Sequence, residues 1–137
     1  MKHKIISLAA ALFLLLPLFS GRAFALDFVS YEAAMKQAAE EKKITMVFFW
    51  ADWCRYCTML RQEVFDNEKV KKAFEKSFLA VSVDVENDKD KLIEKYKASS
   101  ALPSITFLNG QGEAVGYFDG ATDPETFIKI LDYVRKM

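Results

Sequence analysis

Ile44-Thr45-Met46-Val47-Phe48-Phe49-Trp50, followed at once by Ala51-Asp52-Trp53-Cys54-Arg55-Tyr56-Cys57, is the stretch on which the reading of the fold turns. Its first half is a short, unbroken apolar and β-branched run, which suits a strand buried on both faces. Its second half turns helical, from Cys54 to about Phe65, with two cysteines at i and i+3 at the start of the helix. There, unpaired N–H groups and the helix macrodipole favour a thiolate, and the positive charge of Arg55 pushes the same way. Thiolate fraction and leaving-group pKa set the rate of thiol–disulfide exchange. Cys54 is therefore assigned as the attacking nucleophile and Cys57 as the more buried, resolving thiol. A redox-active Cys54–Cys57 disulfide carries its own electrons, so neither a cofactor nor a metal is expected.

Other uses of a CxxC pair fit less well. The chain has two Cys and one His, too few for a four-ligand zinc site. Thr58 follows Cys57 where covalent haem attachment needs His. A loop this short removes little chain entropy, so an inert structural bridge would be a poor staple. A Cu(I)-binding module using the two thiolates remains the alternative from a different functional class, since soft ligands suit that ion.

Working outward, Ser30 caps a helix expected to run to about Lys43, with Tyr31, Ala34, Met35 and Ala38 on one stripe. A second helical piece is expected from Asn67 to about Lys76, then a strand from Phe78 to Val85 and a charged helix from Asp88 to Lys97. Ser104–Leu108 reads as a strand, Asn109-Gly110-Gln111-Gly112 as a hairpin turn and Glu113–Phe118 as the return strand. Thr122-Asp123-Pro124-Glu125 opens the last helix, with a Thr122…Glu125 capping box expected and Pro124 in the first turn. Strands alternating with helices and ending in a hairpin predict an α/β fold, a mixed central β-sheet flanked by helices on both faces.

The first residues have a different character. Lys2 and Lys4, an apolar run from Ile5 to Phe19, and the small residues Ala23 and Ala25 have the layout of a secretory signal peptide. The expected organisation is a signal peptide over 1–25 and a single domain over 26–137, exported to the periplasm. The alternative is a membrane anchor formed by an uncleaved segment over residues 5–21, short for a span and containing Pro17.

The whole chain balances 19 basic against 19 acidic residues, so no long-range field recruits nucleic acid. With 28% charged and 14% aromatic residues, disorder is excluded as well. The only His, His3, falls in the expected leader, so the domain has no imidazole for catalysis. No oligomer interface stands out, and a monomer is expected.

The strand-to-active-site segment Val47–Trp53 with Cys54-x-x-Cys57 resembles that of the thioredoxin family, and Leu102-Pro103-Ser104 resembles the family's cis-proline loop. Within the family, Ala51-Asp52-Trp53-Cys54, the Asn109-to-Glu113 turn and Asp123-Pro124-Glu125-Thr126-Phe127 are most similar to the C-terminal periplasmic domain of the DsbD disulfide-interchange group. The resemblance implies a thioredoxin-like fold and a cis Leu102–Pro103 bond beside the cysteines. It also implies a groove in which Trp53, Tyr56, Leu102 and Pro103 meet the substrate, with Leu102 pairing to an added strand. Arg55 and Asp52 are the expected redox-tuning residues. The implied activity is a reductase of protein disulfides, with cytochrome c biogenesis among the implied settings, fed by a membrane electron donor of the disulfide-interchange type. A thiol oxidase or disulfide isomerase of the same fold is the alternative.

Three features depart from the family, the first being the Arg55-Tyr56 dipeptide between the cysteines, which is neither the Gly-Pro of cytosolic thioredoxin nor the Pro-His of the strong oxidant. Six residues before Cys54, where thioredoxins carry a buried acid, this chain has Phe48; the helix-kinking proline is replaced by Gln62.

Overall fold

The computed structural model describes residues 25–137. The leader expected over 1–25 lies outside the described residues except for Ala25, as does the alternative anchor over 5–21. Five α-helices and four strands follow in the order α1 (Tyr31–Glu41), β1 (Ile44–Trp50), α2 (Arg55–Met59), α3 (Glu68–Glu75), β2 (Phe78–Asp84), α4 (Leu92–Tyr96), β3 (Ser104–Leu108), β4 (Ala114–Asp119) and α5 (Pro124–Val134). A π-helical segment, Leu60–Phe65, continues α2 without a break.

The sheet has the order β2-β1-β3-β4, with β1 and β2 parallel and the other pairs antiparallel. Burial on both faces explains why the β1 sequence is unbroken. Met46 and Phe48 point to the side covered by α2, the π segment, α3 and α5; Val47 and Phe49 point to the side covered by α1 and α4. The mixed sheet with helices on both faces is the one expected from the element order.

Three local differences have physical causes. The last helix is capped by Asp123, not Thr122. Pro124 takes the first helical position and confines its predecessor to extended backbone, which is the N-cap conformation (φ −93°, ψ 164°). The Asp123 carboxylate then accepts the Thr126 amide at 3.0 Å and its hydroxyl at 2.7 Å, which holds its pKa below the usual carboxylate value.

The helix expected over Asp88–Lys97 is shortened to Leu92–Tyr96. Lys91 adopts a left-handed conformation (φ 52°), and the Asp88 carboxylate instead reaches forward to the amides of Leu92 and Ile93.

The helix expected over Cys54–Phe65 divides into α2 and the π segment, whose wider turn places Leu60, Val64 and Phe65 together in the core. Phe65 meets Phe48 edge-on at 5.1 Å between ring centroids and Phe127 at 5.6 Å.

Candidate functional site

The end of β1 delivers the site. After Trp50 the chain turns through Ala51, Asp52 and Trp53, and the Cys54 amide donates to the Ala51 carbonyl at 3.0 Å. Cys54 then caps α2 in extended backbone (φ −83°, ψ 98°), and its Sγ accepts the Cys57 amide at 3.1 Å. The side chains of Cys54 and Cys57 form a disulfide with Cα atoms 5.3 Å apart. Cys54 is 5% exposed and Cys57 1%, so the first sulfur is the nearer to solvent.

Ser104 pairs with Phe49, which places the Leu102–Pro103 bond at the same end of the sheet as the cysteine-bearing turn. That bond is cis. Pro103 is buried, its carbonyl accepting the Gly120 amide at 2.8 Å, while Leu102 is partly buried against the cluster that holds both cysteines. Trp53 and Tyr56 stand out from this end at 68% and 59% exposure. The Trp53 indole donates to Glu86 at 3.2 Å, which orients a side chain that would otherwise be free to rotate. Arg55 and Asp52 are both exposed, Arg55 in the first turn of α2 and Asp52 in the preceding turn. The structure thus brings Asp52, Trp53, Cys54, Arg55, Tyr56 and Cys57 to one end of the sheet, with Leu102 and Pro103 entering from β3.

Arg61 was missed in the sequence reading. A half-open cleft of about 280 Å³ lies against Cys57, lined by Trp50, Ala51, Asp52, Thr58, Arg61 and Gln62. The Arg61 guanidinium carbon lies 4.1 Å from the Trp50 ring centroid and 5.4 Å from that of Phe48. Its Nη2 donates to Ser82 at 3.0 Å, while its buried Nε has no protein acceptor. Burial lowers the Arg61 pKa, and the Asp52 charge acts in the opposite direction. The signal available in sequence was spacing alone: Arg61 is four residues after Cys57 in a helical pattern and so shares its face.

A larger apolar groove, about 370 Å³, runs between β4 and α5 past Tyr117, Tyr133 and Met137, and none of its lining residues belongs to the disulfide site. Among the described residues, no cluster of three or more His, Cys, Asp or Glu is placed to hold a metal. No helix among them is long and apolar enough to cross a membrane.

The comparisons with known proteins agree with this geometry. The thioredoxin-like domain profile matches residues 31–135. The thiol:disulfide interchange protein DsbD of Vibrio cholerae is 33% identical over 86 residues, covering 61% of this chain. The match takes in 14% of that relative, so the chain corresponds to a small part of its length. A solution structure of thioredoxin from Thermus thermophilus superposes with a TM-score of 0.70 at 26% identity, covering 80% of this chain and 87% of that one. The reduced C-terminal domain of Neisseria meningitidis DsbD gives 0.60 at 21% identity, covering 74% and 91%, a likeness of fold.

Proposed function

This chain belongs to the thioredoxin-like domain family, and from that premise we propose that it is an exported, periplasmic thiol–disulfide oxidoreductase that reduces protein disulfides. The observation that carries the reading is the Cys54–Cys57 disulfide at a helix N-cap, with the Cys57 amide directed at Cys54 Sγ. In the reduced protein, that amide and the helix dipole stabilise a Cys54 thiolate.

The thiolate attacks a substrate disulfide, forming a Cys54–substrate mixed disulfide and releasing one substrate thiolate. Cys57, deprotonated, then attacks Cys54 Sγ. The Cys54–Cys57 bond forms, the mixed disulfide breaks, and the second substrate sulfur leaves with the electron pair and takes up a proton. The substrate gains two electrons and the dithiol is oxidised.

Trp53 and Tyr56 provide apolar contact area for the substrate. Leu102 makes no backbone hydrogen bond among the described residues, leaving its peptide groups open to an extended segment added as a strand. Similarity to part of DsbD supports the reductase direction, as does the absence of a His between the cysteines. A reductant in an oxidising compartment needs a supply of electrons, which assigns a membrane donor of the disulfide-interchange type as partner. The proposed organisation is a leader over 1–25 and a monomeric domain over 26–137.

The test is the equilibrium reduction potential of the domain together with the in vivo redox state of its cysteines by thiol trapping. A potential near about −270 mV with cysteines trapped reduced is expected; about −120 mV with cysteines fully oxidised would reverse the direction and favour an oxidase.

A further inference from the structure

Cys57 presents the second step with a difficulty. It is 1% exposed and sits in the apolar cluster to which β1, β3 and α5 contribute Phe48, Ile105 and Phe127. Burial in such surroundings raises a thiol pKa, yet the thiol must ionise to resolve the mixed disulfide. No carboxylate lies on the strand beneath it, where Phe48 stands.

We propose that Arg61 drives the resolving step: its guanidinium, held on aromatic faces along the wall of the Cys57 cleft, stabilises the Cys57 thiolate. Arg61 follows Cys57 by one turn and lines the same cleft. The rings of Trp50, Phe48 and Phe28, at 4.1, 5.4 and 5.9 Å from its guanidinium carbon, hold the cation in the partly buried layer. Among the described residues no carboxylate comes within ion-pair distance of it, so its charge is not neutralised by a partner. Its one side-chain hydrogen bond among the described residues goes to a neutral hydroxyl, Ser82, and its Nε remains an unused buried donor.

The other groups around Cys57 are accounted for. Thr58 and Gln62 on the cleft wall are neutral, and so are Leu102 and Pro103 from the β3 side. Arg55 is directed outward to solvent, and Glu86 is engaged by Trp53. Asp52 is the one carboxylate on the wall and opposes Arg61; being exposed, it is the more strongly screened of the two. Arg61 is thus a positioning residue acting on the Cys57 sulfur. In the resolving step, Cys57 gives its proton to water in the cleft, Cys54–Cys57 forms, and the departing substrate thiolate is reprotonated from solvent.

This inference rests on the reading of the chain as a dithiol oxidoreductase, though not on the direction of electron flow. Two measurements on the full chain test it. The first is Cys57 ionisation in a Cys54→Ser background, followed by thiolate ultraviolet absorbance. Arg61→Met is expected to raise the Cys57 pKa by about one unit, at the low end for loss of a nearby opposite charge, while Arg61→Lys stays close to wild type. The second is the rate at which the reduced chain, with both cysteines present, resolves its mixed disulfide after reaction with oxidised glutathione. Arg61→Met should slow this about tenfold at neutral pH, and raising the pH by about one unit should restore it. Arg61→Gln, which keeps a donor for Ser82, serves if the Met variant does not fold, with the same expected shift. An unchanged Cys57 pKa in the charge-removing variant overturns the role of Arg61. A wild-type chain that never resolves the mixed disulfide overturns the oxidoreductase reading instead, and the ionisation of Cys57 still reports on Arg61.

Discussion

Arg61 and Lys95 lie on opposite faces of the sheet, and each rests on aromatic rings. The Arg61 guanidinium lies 4.1 Å from the centroid of Trp50; the Lys95 ammonium lies 5.0 Å from that of Tyr31 and 5.3 Å from that of Tyr96. Their surroundings differ in how fully the polar groups are satisfied. On the α1–α4 face, Lys95 donates to the Tyr31 hydroxyl at 2.8 Å, Tyr31 and Tyr96 share a hydrogen bond, and Tyr96 reaches the Gly112 carbonyl at 3.2 Å. That network ties α1, α4 and the β3–β4 turn together, and Gly112 fits beneath the two hydroxyls with φ 78°. On the disulfide face, Arg61 Nε and Trp50 Nε1 are buried without protein partners beside an open cleft. A closed network fixes structure, whereas buried donors without protein partners beside an open cleft remain available to new ones.

If chemistry belongs to the disulfide face alone, Cys54→Ser abolishes exchange with a protein disulfide. Cys57→Ser should accumulate mixed disulfides, seen as adducts on a non-reducing gel. Full exchange activity in Cys54→Ser would break the contrast at its root.

The disulfide face also holds the larger aromatic core, so Phe65→Ala should cost about 3–5 kcal/mol in denaturant unfolding. Phe65 contacts Phe28, Phe48 and Phe127, and removing it opens a cavity between β1 and α5.

On the other face, Tyr96→Phe should cost about 1–2 kcal/mol, since it removes the hydrogen bonds to Tyr31 and to the Gly112 carbonyl from a packed ring, and should leave the exchange rate per folded molecule unchanged. It should also alter the alkaline limb of stability. Burial, followed by the Tyr31 hydrogen bond, raises the Tyr96 pKa to about 12. An unfolded tyrosine ionises near its ordinary value of about 10, so between these values the unfolded chain binds fewer protons and stability falls as pH rises. Thermal unfolding from pH ~9 to ~12 should show that fall in wild type and a shallower one in Tyr96→Phe. Equal slopes would show that Tyr96 is not the group responsible.

The smallest effect is expected from Lys95→Met, within about 0.5 kcal/mol and with no change in exchange, because the ammonium is exposed and screened. A change in exchange comparable to that of Arg61→Met would erase the distinction between the two cations.

The elements that were legible in sequence are those whose signals are local. The β1 run, the Asn109–Gly112 turn and the Ser30 cap each depend on neighbouring residues, and each lies where the pattern placed it. Boundaries were lost where two local signals competed. Thr122 and Asp123 both offer a cap, and the fixed φ of Pro124 decides for Asp123. At Asp88 the carboxylate competes with the helix backbone and takes the first amides for itself. The π segment had no sequence signature in Leu60–Phe65, because its wider turn is set by what Val64 and Phe65 meet across the core.

The sequence by itself determined the alternation of strands and helices and the helical start beneath the cysteines. Spacing, β-branching and caps are properties of adjacent residues, and they suffice for that. Only the tertiary structure decided what surrounds Cys57. Phe48 and Trp50 on β1, Phe28 ahead of α1, and Ser82 on β2, which is Phe48's partner across the two strands, converge on Arg61 because Phe28 and β1 both pair with β2. A charge lining the same cleft as a buried sulfur is a property of that convergence, because desolvation and Coulomb attraction depend on distance through space and not along the chain.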